Sequence, residues 1–335
     1  MTTAQVLGQN LTEDQRLAVL DDHRDILCLA CAGSGKSRTL AFRIAYLVAN
    51  GCPADSIVAF TFTDKAAESI KRRVSEALSK FELPQTLVGA MYIGTIHSYC
   101  QYLLGSVDAR YRQFEVLDEN GLKLYLLSRY RQLALNEIKA ERNSKMFETI
   151  REVSNAWSTA NDEALSYSDV TGEDETLGNL LERIYASLER DQYIDFSLMI
   201  RLAVEELERN SPAINQALNG VRHILVDEYQ DVNPMQERLI RQLSERADSL
   251  MVVGDDDQSI YAWRGADVNN ILSFQERYPQ SSVHILSTNF RSTAAIVVVV
   301  KKSRHEKYLF LICFFKSRHE EYFCRSCFFK SGHGQ

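Results

Sequence analysis

The stretch Ala30-Cys31-Ala32-Gly33-Ser34-Gly35-Lys36-Ser37 constrains this chain more than any other. An apolar run, Ile26-Leu27-Cys28-Leu29, leads into it, and a helical pattern, Thr39-Leu40-Ala41-Phe42-Arg43-Ile44-Ala45-Tyr46-Leu47, leaves it. Strand, small-residue turn and helix in this order are the setting of a phosphate-binding P-loop. Small residues let backbone N–H groups curl round an anion, and the helix start adds unpaired donors and the positive end of its dipole. Lys36 can then reach β- and γ-phosphates, and the Ser37 hydroxyl can ligate Mg²⁺. One position departs from the pattern G-x-x-x-x-G-K-[ST], since Ala30 stands where the first glycine is usual. The alternative is a Gly-Ser-Gly-Lys turn that only caps a helix; the flanking strand and helix favour the phosphate cradle.

The bulk numbers narrow the class. A length of 335 residues suggests about two domains, and 45% apolar with 25% charged residues is ordinary for a globular protein. A net charge of −7 excludes a chain that binds nucleic acid over its whole surface, so any such contact has to be a local patch. No apolar run approaches the roughly 18 residues of a membrane span. Met1-Thr2-Thr3-Ala4-Gln5 lacks the basic and apolar regions of a secretory signal, and the seven scattered cysteines suit a reducing cytoplasm.

Further strand-to-helix junctions follow the same logic. Thr12 and Gln15 form a capping box at a helix start, which by itself accounts for Gln15; contact with a nucleotide base is the sharper alternative. Gly51 and Pro53 stop the P-loop helix. Ile57-Val58-Ala59-Phe60-Thr61-Phe62 reads as a buried strand that delivers Thr63-Asp64-Lys65 to a helix running through Arg73-Val74. That junction is either a second anion site or a plain capped helix. Met91-Tyr92-Ile93-Gly94-Thr95-Ile96-His97-Ser98 is a third, with His97 open to a ligand, phosphate or core role. Cys100 has no second His/Cys pair nearby to complete a four-ligand metal site. From about residue 105 to 190 helical patterns dominate, such as Leu122-Tyr125-Leu126-Tyr130 and Leu180-Leu181-Ile184-Leu188. They predict a helical insertion within an α/β domain, with Trp157 in its core.

The next strand, Val221-Arg222-His223-Ile224-Leu225-Val226, ends in Asp227-Glu228. Asp227 is suited to hold Mg²⁺ through water and Glu228 to orient and deprotonate an attacking water; the alternative is a solvated acidic turn, since Asp231 follows. Ser249-Leu250-Met251-Val252-Val253-Gly254-Asp255 is another buried strand, leading to Gln258 and then Tyr261-Ala262-Trp263-Arg264-Gly265. Two aromatics beside an arginine make a stacking platform for single-stranded bases, or else a hydrophobic plug. Val283-His284-Ile285-Leu286 precedes Thr288-Asn289-Phe290-Arg291-Ser292. Beyond it Lys302-Ser303-Arg304-His305-Glu306 returns as Lys316-Ser317-Arg318-His319-Glu320, a spacing that matches none of the 20–50-residue repeat architectures. Residues 301–335 hold 8 Lys and Arg against 3 Glu, and Cys324-x-x-Cys327 with His319 or His333 is a weak zinc candidate.

As an ordered set these motifs resemble the N-terminal half of superfamily I DNA helicases of the UvrD/Rep/PcrA type, over about residues 11–293. The resemblance is carried by the Gln15 segment and residues 30–37, then by Phe60-Thr61-Phe62-Thr63-Asp64-Lys65-Ala66-Ala67 and Gly94-Thr95-Ile96-His97-Ser98. Gln192-Tyr193-Ile194-Asp195-Phe196, Val226-Asp227-Glu228-Tyr229-Gln230-Asp231, the run from Gly254 to Gly265 and Asn289-Phe290-Arg291-Ser292 complete it. It implies an α/β fold, a RecA-like P-loop NTPase parallel sheet with an inserted helical subdomain. Residues 1–104 with 191–290 would form the motor domain, 105–190 the insertion, and 291–335 a hinge start and repeat tail outside any folded domain. It also implies ATP and Mg²⁺ as cofactors, single-stranded DNA and its junctions with duplex as partners, and a cytoplasmic setting without a membrane. The nucleotide would lie against Ala30, Cys31, Ala32, Gly33, Ser34, Gly35, Lys36 and Ser37. Gln15 would read adenine, Arg38 would pack beside it, and Arg291 would reach the γ-phosphate. Asp227 and Glu228 would be metal carboxylate and base, with Gln258 linking γ-phosphate to DNA. Phe62, Thr63, Lys65, Thr95, His97, Tyr261, Trp263 and Arg264 would lie along the strand of DNA. Cys31 and Asp64 are small departures. The large one is that the family's second motor domain, with a second arginine at ATP, gives way here to the 14-residue repeat. A motor enzyme, with this chain either a fragment or completed by a second domain from another protein, is one expectation; a nucleotide- and DNA-binding module without helicase activity is the other.

Overall fold

The computed structural model describes residues 2–142, 145–255 and 269–292, together with short strands at 314–317 and 320–322. The first third of the chain alternates between the two element types. Helices α1 (Thr3–Asn10) and α2 (Glu13–Leu20) precede β1 (Asp25–Ala30), α3 (Lys36–Ala49), β2 (Ile57–Thr61), α4 (Asp64–Lys80), β3 (Tyr92–Thr95) and α5 (Ile96–Val107). A helical stretch follows: β4 (Glu115–Leu117), α6 (Glu119–Ser128), α7 (Leu135–Arg142), α8 (Met146–Asp162), α9 (Tyr167–Glu173) and α10 (Glu175–Asp191). The chain then resumes alternation with β5 (Tyr193–Asp195), α11 (Phe196–Arg209), α12 (Pro212–Ala217), β6 (His223–Val226), α13 (Pro234–Ser244) and β7 (Ser249–Gly254). Two short helices, α14 (Asn269–Leu272) and α15 (Phe274–Arg277), lead to β8 (Ser282–Leu286) and β9 (Thr288–Asn289).

Six strands form one sheet in the order β3-β2-β6-β7-β1-β8, and every pairing in it is parallel. Parallel sheets bury both faces, which is why their strands read as continuous apolar runs. The period of two then divides each run between two cores. Leu27, Val58, Phe60, Ile224, Val226, Leu250 and Val252 face one side. Ile26, Cys28, Ile57, Ala59, Leu225, Met251 and Val253 face the other, under residues of α2, α3 and α4. The first core continues without a break into α6, α8 and α10, so the helical stretch is welded to the sheet by apolar contact. Trp157 is fully buried there and donates from Nε1 to Asp195 Oδ1 at 3.0 Å, joining α8 to the end of β5.

Helix α4 runs through Arg73 and Val74 as expected and ends at Lys80. Ala77 and Leu78 extend the buried stripe of Ile70 and Val74 by another turn. Near the C-terminus, β10 (Phe314–Ser317) runs parallel to β9 and antiparallel to β11 (Glu320–Tyr322). The remaining residues of the repeat, the Cys324/Cys327 pair and His333 among them, lie outside the described residues.

Candidate nucleotide-binding site

The turn between β1 and α3 depends on two glycines. Gly33 has φ +80 and Gly35 φ +89, a region that side-chain-bearing residues rarely adopt. At Gly33 a Cβ would also lie 2.6 Å from Arg291 Cβ and 2.7 Å from Asn289 Oδ1. Gly35 is the N-cap of α3 and provides no side-chain bond to the first N–H groups of that helix. Within the turn Ser34 N donates to Cys31 O at 3.0 Å.

Three successive carbonyls of this turn are held from outside it. Asn289 Nδ2 donates to Ala32 O at 2.6 Å, Phe290 N to Gly33 O at 2.9 Å, and Gln15 Nε2 to Ser34 O at 2.8 Å. In a planar trans peptide the C=O and the following N–H point opposite ways. Holding the Ala32 and Ser34 carbonyls outward therefore turns the Gly33 and Gly35 N–H groups toward the inside of the turn. The buried Ser34 Oγ has no hydrogen-bond partner among the described residues. Inward amides, an unpaired buried hydroxyl and a helix start make a fit for phosphate oxygens.

Beside the turn stands an acidic cluster. Ser37 Oγ donates to Asp227 Oδ2 at 3.0 Å, so the start of α3 meets the end of β6 across the intervening β7. Lys36 Nζ, nearly buried, lies 3.5 Å from Asp255 Oδ2 and 3.7 Å from Glu228 Oε2. Burial, then the Glu228 charge, pushes Asp227 up to about 6 against the opposing pull of Ser37 and Lys36. Asp231 is likewise pushed up to about 6 by burial and Glu228. One ammonium thus faces a crowd of carboxylates that resist ionising together. The Ser37 hydroxyl with the Asp227 carboxylate is a hard-oxygen pair of the kind Mg²⁺ takes.

Two residues of this site carry no role in the sequence reading. Gln230, 1% exposed, donates from Nε2 to Glu228 Oε2 at 3.0 Å and Asp231 Oδ2 at 3.3 Å, while its Oε1 accepts from Asp255 N at 2.9 Å. It ties the turn after β6 to the end of β7. Asn289 holds the P-loop through Ala32 and also accepts from Arg291 N and Ser292 N at 2.8 and 2.9 Å. That Asx turn is readable in Asn-Phe-Arg-Ser after a strand; nothing local announces Gln230.

The other named residues are placed as follows. Gln15 keeps its capping box, with Thr12 N donating to Oε1 at 3.1 Å. Arg38 is exposed, donates to Asn10 O at 2.7 Å and lies over the Phe42 ring. Ala30 is buried at the end of β1, Cys31 half-buried, Ala32 exposed, and Arg291 exposed. Thr63 caps α4 by accepting from Ala66 N at 3.1 Å, between half-buried Phe62 and exposed Lys65. Thr95 caps α5 by accepting from Ser98 N at 3.2 Å. His97 meets the Phe196 ring edge-on at 4.9 Å, and burial pushes its imidazole down to about 4, so it is neutral near pH 7. Gln258, Tyr261, Trp263 and Arg264 lie outside the described residues. Asp255 before that segment and Asn270 shortly after it both bond to the stretch after β6, Asn270 Nδ2 donating to Val232 O at 2.8 Å.

All the described candidates stand at the C-terminal edge of the sheet, where parallel α/β sheets bind ligands. The P-loop, Asp227, Asp255 and Arg291 follow β1, β6, β7 and β8; Phe62, Thr63, Lys65, Thr95 and His97 follow β2 and β3. This is a RecA-like P-loop domain. Residues 11–279 match the UvrD/REP helicase N-terminal domain, and the chain belongs to that family. It is 36% identical over 313 residues to the ATP-dependent DNA helicase PcrA of Bacillus subtilis (strain 168), covering 90% of this chain and 41% of that protein. Proteins of the same name from Staphylococcus epidermidis (strain ATCC 12228 / FDA PCI 1200) and Staphylococcus aureus (strain NCTC 8325 / PS 47) are each 33% identical, over 87% of this chain and 39% of theirs. The chain thus spans about two fifths of the length of these relatives.

Proposed function

We propose that this chain is the ATP-binding and ATP-hydrolysing motor domain of a DNA helicase that moves on single-stranded DNA. The observation that carries the proposal is the 3.0 Å contact of Ser37 with Asp227, which brings the P-loop and the carboxylate strand to one point. Gly33 and Gly35 amides with Lys36 would hold the phosphates, and Ser37 with Asp227 would hold Mg²⁺, which supplies charge neutralisation at the phosphate oxygens. Glu228, held by Gln230, is the base for water, and Arg291, just after β9, has its Cβ against the P-loop Gly33 and is the arginine for the γ-phosphate. In this reading residues 1–104 and 191–290 are the motor and 105–190 its insertion. Single-stranded DNA and its duplex junctions would cross β2 and β3 by Phe62, Thr63, Lys65, Thr95 and His97, joined by Tyr261, Trp263 and Arg264. The names of the relatives support DNA as substrate. A cytoplasmic setting fits a chain in which no helix of the described residues is long and apolar enough to cross a membrane.

The described residues build one six-stranded parallel sheet. Stepping along DNA needs two motor domains that close and open, so the 335-residue polypeptide alone is expected to bind Mg·ATP and hydrolyse it slowly without unwinding a tailed duplex. A second motor domain supplied by another protein would restore unwinding. The test is nucleotide binding, then ATP hydrolysis with and without single-stranded DNA, then strand separation. DNA that binds but never stimulates hydrolysis would favour a non-motor binding module. Failure to bind Mg·ATP would sink the proposal outright.

A further inference from the structure

Glu228 has φ 53 and ψ 42, the left-handed region in which the Cβ of an L-residue crowds the backbone. Glu82, Ala134, Ala164, Gln192 and Asn210 also take positive φ, but each follows a helical turn. A left-handed residue is an ordinary way to end a helix. Glu228 instead comes just after the strand β6, between two buried neighbours.

Both neighbours are pinned. Asp227 N donates to Phe60 O at 2.9 Å, continuing the pairing of β6 with β2, and Ser37 holds the Asp227 carboxylate at 3.0 Å. On the other side Tyr229 is fully buried, its ring meeting Phe274 edge-on at 5.8 Å and its hydroxyl donating to Glu237 Oε2 on α13. Glu237 is held in turn by Tyr278, whose hydroxyl donates to Oε1 at 3.2 Å, and by Arg277 Nε at 3.2 Å from the same oxygen. One residue has to turn the chain between these anchors, and strain of this kind persists only where the surroundings over-determine it. Gln230 holds the Glu228 carboxylate; the backbone that aims it has this separate support. We infer that Tyr229, locked by Glu237, is a positioning residue that keeps the strained Glu228 backbone aimed for hydrolysis.

The inference rests on Glu228 being the base, and the experiment separates the two. Single-turnover hydrolysis of Mg·ATP and equilibrium affinity for it are measured on the full 335-residue chain and three variants. Tyr229→Phe removes the hydroxyl on Glu237 and keeps the ring, Tyr278→Phe removes the other hydroxyl from the same carboxyl group, and Glu228→Gln removes the base. Tyr229→Phe is expected to slow hydrolysis about 10-fold and leave ATP affinity within about twofold, since a displaced catalytic group costs rate rather than binding. Tyr278→Phe is expected to lower thermal stability comparably and leave hydrolysis within about twofold. Equal slowing in both would overturn the inference in favour of plain stability of the cluster, and wild-type hydrolysis in Tyr229→Phe would overturn it as well. Hydrolysis at the wild-type rate in Glu228→Gln would remove the base assignment and this inference with it.

A second measurement reads the strain without nucleotide. Glu228→Gly is expected to be more stable than Glu228→Ala by about fivefold in the unfolding constant, the left-handed penalty of a Cβ less the extra freedom of glycine in the unfolded chain. In the Tyr229→Phe background that gap is expected to close. A gap that Tyr229→Phe leaves unchanged would show that the hydroxyl has no hold on Glu228.

Discussion

Lys36 serves two partners of opposite kind. In the described structure its ammonium stands between Asp255 and Glu228, and in the proposed function it meets phosphate. Lys36→Ala is therefore expected to cost nucleotide affinity roughly 2–5 kcal/mol, the usual loss for one partner of a buried charge pair, as read by equilibrium binding. Glu228→Gln keeps the shape and a bond to Gln230 but removes the base. Nucleotide affinity should hold while the hydrolysis rate falls about 10²–10⁴-fold in a single-turnover assay. Unchanged hydrolysis would move the base elsewhere. Asp227 supplies a pH signature. Its carboxyl is raised to about 6, above its value of roughly 3.9 in an unfolded chain. Between those values the folded protein binds the extra proton, so this residue favours folding at lower pH and withdraws that support as pH rises through 6. His97, lowered to about 4, acts oppositely over pH 4 to 6.5, and Asp231, raised like Asp227, acts with it, so whole-protein stability mixes these groups. Mg²⁺ affinity isolates Asp227: a proton and the metal compete for one carboxylate. Affinity should fall steadily from pH 7 to pH 5 in a calorimetric titration, and a flat profile would remove Asp227 from the metal.

The P-loop is an element whose braces come from far apart in the chain. Gln15 holds it from one side, and Asn289 with Phe290 from the other. Asn289→Ala removes the donor to Ala32 and the acceptor for two following amides, and is expected to weaken Mg·ATP by about 1–3 kcal/mol. Affinity equal to wild type would show the P-loop stands without that brace. The glycine-lysine-serine turn was legible because its signal is local: small residues between an apolar run and a helical pattern. The sheet strands were legible for the same reason, their apolar runs stating burial on both faces. Asn289 on Ala32 and Gln230 on Glu228 were not, because a side-chain amide does not announce which carbonyl or carboxylate it will meet. The local residues leave His97 open among three roles; its neutral state follows from burial, and the ring it meets, Phe196, lies nearly a hundred positions away, where no local pattern reaches.

Across the whole molecule, the sheet edge carries the proposed nucleotide contacts after β1, β6, β7 and β8 and, among the described residues, the proposed DNA contacts at β2 and β3. With a net charge of −7, affinity for DNA has to come from stacking and a few local cations rather than the overall field. Trp263→Ala is expected to weaken single-stranded DNA by about 1–3 kcal/mol with little sequence preference, measured by fluorescence anisotropy. An equal loss on duplex, or none, would make Trp263 a plug beneath the loop. The placement of β1 has a consequence for how the protein is made. Although it is the first strand to leave the ribosome, both of its neighbours, β7 and β8, come from beyond residue 248. Until those residues are made, the strand that bears the P-loop waits with both edges unpaired, the condition in which nascent chains stick to one another. Its bracing donors, Asn289 and Phe290, arrive later still. A nascent chain halted before those residues would display the P-loop signature and lack the geometry that the signature denotes.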